Sequence, residues 1–165
     1  MHSLSVPDIA VLKLLLSVEG IGPARVRLLK NGLSSFQNIL NADKIALVSI
    51  NGINESVAEA VIAAKKDFPE YEDNVNQELL RLSNLGGEII SLWDDKYPDL
   101  LKKIYDPPIL LYVLGEMTEQ DYYSLAVVGT RIPTNYGKIM TEKLVTGICE
   151  KGMTVVSGLA RGIDT

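Results

Sequence analysis

Arginines, hydroxyls and glycines recur near the end of this chain at a spacing that could hold a phosphate. The apolar run Leu125-Ala126-Val127-Val128 leads directly into Gly129-Thr130-Arg131. Further on, Met153-Thr154-Val155-Val156 opens into Ser157-Gly158-Leu159-Ala160-Arg161-Gly162-Ile163-Asp164-Thr165. Glycines let backbone amides approach an anion, and Thr130 and Ser157 add hydroxyl donors. Arg131 offers a planar fork to two phosphate oxygens, and Arg161 is a second candidate cation. The same glycines would also serve tight strand-to-helix packing with no ligand, so both readings stand. Asp164 is read as the cap of a following helix before any catalytic role.

For these turns to cooperate, the strands before them must lie parallel and adjacent. One helical stretch, from about Asn135 to Lys151, separates them and predicts a strand–helix–strand unit. Ligands of open α/β sheets bind at the carboxyl ends of such strands. The chain ends inside the second turn, and two strands with one crossover helix bury little apolar area. An incomplete sheet is therefore expected, with the region from about Leu125 the least stable part.

The first 68 residues read as short helices with two glycine turns. Apolar residues at helical spacing from Pro7 to Val18 stop at Gly20-Ile21-Gly22, and Pro23 suits the first turn of the next helix. That helix, Ala24 to Lys30, is expected to end at an Asn31-Gly32 cap. A second copy follows 32 residues later as Gly52-Ile53-Asn54, with Asn54 as N-cap of Glu55–Lys66. The repeat resembles a paired helix-hairpin-helix, or SAM-like, domain. Helix N-terminal amides beside such a turn can accept a phosphate without reading a base. Gly20, Gly22 and Arg25 are thus secondary candidates, with helix packing as the alternative; the second turn is read as packing.

Residues 69–87 read as an acidic linker helix, Glu70 to Asn84, with a solvated charged face. After it come a strand at Glu88–Leu92, a short helix at Tyr97–Leu101, a rigid Asp106-Pro107-Pro108 turn and a strand at Ile109–Leu114. Trp93, Tyr97 and Tyr112 are expected in the core or at a domain junction.

Composition narrows the classes. The 165 residues are 47% hydrophobic and 22% charged, enough for one or two domains. No apolar run reaches the ~18 residues of a membrane span, and no secretory signal is visible, so a cytoplasmic location is expected. One histidine, His2, expected at a mobile terminus, and one cysteine, Cys149, cannot assemble a metal site, a disulfide or a nucleophilic pair. Cys149 is expected to be a buried helix residue; no catalytic group, metal or cofactor is expected. The net charge of −5 arises in residues 69–100, which carry eight acidic and two basic groups. Both flanks are near balance, which leaves a locally basic face available to nucleic acid.

From Tyr97 onward the chain resembles the DNA-processing protein A family (DprA/Smf). The resemblance rests on Tyr97-Pro98, Leu100-Leu101, Ile104, Asp106-Pro107-Pro108, Leu111-Tyr112 and Gly115. It continues through Val127-Val128-Gly129-Thr130-Arg131, Thr134, Tyr136-Gly137 and the final Ser157–Asp164 motif. It implies an α + α/β architecture: a helical domain at 1–68, the linker at 69–87, and part of a Rossmann-like domain at 88–165. It implies a phosphate-binding pocket at Gly129, Thr130 and Arg131 together with Ser157, Gly158, Ala160 and Gly162. It further implies binding and protection of single-stranded DNA in natural transformation, transfer of strands to the RecA recombinase, and homodimerisation in complete members. A nucleotide-acting phosphoribohydrolase is the alternative enzyme class, for which only Asp164 and Glu142 are available as acid and base. An interaction-only module is the third class. Gly129-Thr130-Arg131-Ile132-Pro133 lacks the Gly-x-Gly-x-x-Gly spacing of a dinucleotide oxidoreductase.

Overall fold

The computed structural model describes residues 4–165. His2, read as remote from any site, lies outside the described residues. The chain divides into two compact units, the first ending at Gly115 and the second running from Glu116 to Thr165.

In the first unit, helix α1 (Val6–Ser17) starts at a capping box in which Ser5 and Asp8 satisfy each other's backbone amides. Ile9, Ala10, Val11, Leu12, Leu14 and Leu15 are all buried, the pattern of a helix covered on most sides. Helices α2 (Pro23–Leu33), α3 (Phe36–Asn41), α4 (Lys44–Val48) and α5 (Glu55–Ala64) build the core with it. Leu12, Leu15, Val26, Leu29, Phe36, Ile39, Leu47 and Val61 meet there. Ser35, Asp43 and Asn54 each cap a helix by accepting an amide three residues ahead.

Gly32 departs from its expected role. Helix α2 runs through Asn31-Gly32, and the left-handed residue that ends it is Ser34, at φ +68°. A β-carbon at Gly32 would lie 2.9 Å from Ile50 Cγ1, so this glycine makes room for a neighbouring side chain.

The acidic segment is not a linker. After a 3₁₀ turn at Lys65–Asp67, helix α6 (Phe68–Asn84) buries Val75 against Ile9 and Ala10 of α1. Glu78 of α6 pairs with Lys13 of α1 and accepts the Tyr112 hydroxyl at 2.9 Å. Tyr112 is accordingly 53% exposed and not a core residue.

Strands β1 (Gly87–Ser91) and β2 (Leu110–Leu114) pair antiparallel, Gly87 opposite Leu114 and Ser91 opposite Leu110. Between them lies the one-turn helix α7 (Asp99–Lys102). This ladder packs with the helices: Ile109 joins the helical core, and Ile89 and Leu110 cover Ile9 and Val75. Tyr97 is buried, with its hydroxyl donating to the Pro108 carbonyl at 2.7 Å. Trp93 stands edge-on to Phe36 at 5.3 Å, at the junction of the ladder and the helices.

The second unit contains a 3₁₀ turn (Glu119–Tyr122), β3 (Ser124–Ala126), α8 (Asn135–Cys149) and β4 (Thr154–Val156). The strands are parallel, Ser124 opposite Thr154, and a Val127 N–H to Val156 carbonyl bond extends the ladder. Thr134 caps α8 by accepting the Gly137 amide at 3.1 Å. Every fully buried apolar side chain of the described residues lies between Ile9 and Ile109, none of them in this unit. Cys149 is exposed, contrary to expectation, at the end of helix α8, which holds no buried residue. No helix of the described residues is long and apolar enough to cross a membrane.

Candidate nucleic-acid interface

Parallel pairing brings the carboxyl ends of β3 and β4 to one sheet edge, and the two glycine turns meet there. The Ile163 N–H donates to the Thr130 carbonyl at 3.2 Å. Gly162, at φ +114°, lies so close to the first turn that a β-carbon would fall 2.2 Å from the Thr130 oxygen. A β-carbon at Gly129 would fall 2.7 Å from Ile163 Cβ. These two glycines therefore serve the approach of one turn to the other.

Several polar groups in the turns hold the loops themselves. Ser157 Oγ donates to the Asp164 carbonyl at 2.9 Å, and Thr130 Oγ1 accepts the Ile132 amide at 3.2 Å. The Ala160 carbonyl accepts the Thr165 hydroxyl at 2.7 Å. The Asp164 Oδ1 accepts the Gly129 N–H at 2.9 Å. Arg131 and Arg161 are exposed and, among the described residues, make no ion pair. The amides of Thr130, Arg131, Gly158 and Leu159 likewise have no hydrogen-bond acceptor among the described residues. Two exposed arginines and a set of open amides thus belong to turns that meet at one sheet edge, the donor type that suits a phosphodiester.

Lys138 escaped the sequence reading. It lines a recess of about 410 Å³ with Ser157, Gly162, Asp164, Thr141 and Glu142. The signal was available, because counting from the Thr134 cap places 138, 141, 142 and 145 on one stripe of α8. Among the described residues no group of three or more His, Cys, Asp or Glu side chains could hold a metal ion.

The hairpin candidates lie in the first unit. Gly20 (φ +81°) and Gly52 (φ +95°) occupy matching places in the two turns, followed by buried Ile21 and Ile53 and by the caps Gly22 and Asn54. Arg25 is not a free cation. Its Nε donates to the Gly52 carbonyl at 3.2 Å and its Nη1 to the Gly20 carbonyl, so one guanidinium clasps both turns. Gly22 has open space on its side-chain face.

Comparison with known proteins agrees with this architecture. Residues 88–165 match the family described as DNA recombination-mediator protein A, and residues 12–67 match a SAM-like helix-hairpin-helix tandem. Protein Smf of Synechocystis sp. is 31% identical over 151 residues, covering 89% of this chain and 37% of that protein. DNA processing protein DprA of Bacillus subtilis is 39% identical over 103 residues, covering 62% of this chain and 35% of that protein. The crystal structure of DNA processing protein A from Streptococcus pneumoniae superposes with a TM-score of 0.58 at 25% identity, over 99% of this chain and 52% of that one. The chain spans about a third of the length of these curated relatives. With its helical hairpin repeat, its parallel strand pair and its glycine turns, this chain belongs to the DNA recombination-mediator protein A (DprA/Smf) family.

Proposed function

We propose that the chain acts in DNA processing by binding the sugar–phosphate backbone of single-stranded DNA at the paired turns 129–131 and 157–162. The observation that carries this is the contact of Gly162 with Thr130 and Arg131, which groups two exposed arginines and open amides at one edge. Such donors hold phosphate and carry no base information. The names of the relatives, DNA processing protein and Protein Smf, point the same way. The open amides at the start of α2, braced by Arg25, form a secondary phosphate contact in this reading. The setting we assign is bacterial natural transformation in the cytoplasm, with the RecA recombinase receiving the strand and a homodimer as the complete assembly. No catalytic step is assigned.

Arg131→Ala tests the site. Loss of a charge-assisted phosphate contact costs about 1.5–3 kcal/mol, one to two powers of ten in affinity. The loss is expected to be similar across oligonucleotide sequences, with the salt slope smaller by about 0.7. Lys66→Ala, an exposed change in the first unit, is the control. A folded Arg131→Ala protein with unchanged affinity and salt slope would refute the site.

A second reading, nucleotide hydrolysis, is favoured by one observation: Glu142 and Asp164 line the same recess. It requires release of free base from a nucleotide, measurable by chromatography. It ranks second because the Asp164 carboxylate is already bonded to the Gly129 amide.

A further inference from the structure

Asp164 puts a carboxylate between the two turns assigned to phosphate. Its Oδ1 takes the Gly129 amide at 2.9 Å, and a β-carbon on Gly158 would lie 3.4 Å from its Oδ2. One carboxylate therefore rests against a glycine from each turn. Its main chain is anchored too, through the Ser157 hydroxyl on its carbonyl at 2.9 Å and the neighbouring Ile163 amide on Thr130.

We propose that Asp164 is an internal anion that occupies the phosphate cradle and makes the site selective for extended strands over small phosphates. The inference rests on the reading of the paired turns given above. A carboxylate and a phosphate oxygen accept the same amide proton, and two anions in one cradle repel each other. Because it is tethered, the carboxylate competes at high effective concentration. Inorganic phosphate brings a single anion and must displace the carboxylate unaided. A strand engages Arg131 and Arg161 with neighbouring phosphates, and those contacts offset the displacement. Free phosphates are thereby kept from filling a site built for a polyanion.

The test uses Asp164→Asn, whose side-chain oxygen can still accept the Gly129 amide while the charge is gone. Binding of inorganic phosphate and of an oligothymidylate is measured for both proteins, with the melting transition checked alongside. Removing one like charge near 4 Å should tighten phosphate binding roughly fivefold. Oligothymidylate should gain less, so selectivity between the two ligands falls. Unchanged affinities, or weaker binding of both ligands by a folded variant, would overturn the proposal. A second measurement needs no variant: the Gly129 amide resonance of the wild-type chain should move as oligothymidylate saturates, because its acceptor is exchanged. A Gly129 resonance that stays fixed through saturation also overturns it. Wild-type binding that Arg131→Ala weakens and Asp164→Asn leaves unaltered refutes the internal anion alone. Absence of any oligonucleotide binding by the wild type refutes the site and this inference with it.

Discussion

Arg25 shows how a residue type alone can misdirect. A cation one turn into a helix that follows a Gly-x-Gly hairpin has the composition of a phosphate contact. Its guanidinium is instead bonded to the carbonyls of Gly20 and Gly52, which joins two turns 32 residues apart in the chain. The five-donor fork permits this; a lysine ammonium cannot reproduce the geometry. Arg25→Ala should therefore lower the stability of the helical unit by about 1 kcal/mol, less than a buried charge-assisted bond because the side chain is partly exposed. Arg25→Lys should recover only part of that loss. Thermal unfolding followed by circular dichroism measures both. A variant that melts with the parent and loses only DNA affinity would show Arg25 to be a ligand contact and not a clasp.

Among the elements, the small parallel sheet depends on a carboxylate outside it. Asp121, in the 3₁₀ turn, accepts the Thr118 amide at 2.6 Å and the Thr154 hydroxyl at 2.8 Å. The Thr118 amide, followed by the Thr154 hydroxyl, holds its carboxyl below the usual carboxylate range. A folded pKa below the unfolded one means that the contribution is fully present above the unfolded value, about pH 4. It is lost as the pH falls through the lower folded value. Protection of the Thr154 amide, which donates to the Tyr123 carbonyl at 3.2 Å, should fall over that acidic window. In Asp121→Asn the acid-dependent part of the change should vanish. An identical acid profile in the variant would locate the titrating group elsewhere.

At the scale of the whole molecule, burial is unevenly divided. The first unit holds a continuous core, from α1 through α5 to Ile109, and the second holds no fully buried side chain among the described residues. Val128, Ile132, Tyr136, Leu144 and Leu159 of the second unit are all at least 60% exposed. Hydrophobic burial is the main favourable term in folding, so the units should differ in local stability. Native-state hydrogen exchange should find the amides of Leu125, Val155 and Val156 far less protected than those of Leu12, Leu15 and Val61. Comparable protection in a demonstrated monomer would contradict this. The turns proposed to bind DNA then lie in the unit with the lower local stability, as loops that admit a ligand often do.

Local rules carried far along this chain. The Asn54 cap, Pro23 in the first turn of α2, the paired hairpin turns, the strand–helix–strand order and the parallel edge all follow from residue types and their periodicity, which act over a few neighbours. The family resemblance depended on the same local motifs. What each polar group bonds to was decided at long range, by which backbone happened to be near. Gly32 serves Ile50, Gly162 serves Thr130, Arg25 joins two turns, and Asp164 reaches back to Gly129. The acidic helix became part of the core for a related reason. Val75 lies on one apolar stripe of the helix with Phe68, Tyr71 and Leu79, and that stripe is buried only because Ile9 and Ala10 are placed to receive it. A sequence lists donors and acceptors, but a hydrogen bond needs both within about 3 Å, and only the tertiary fold sets that distance.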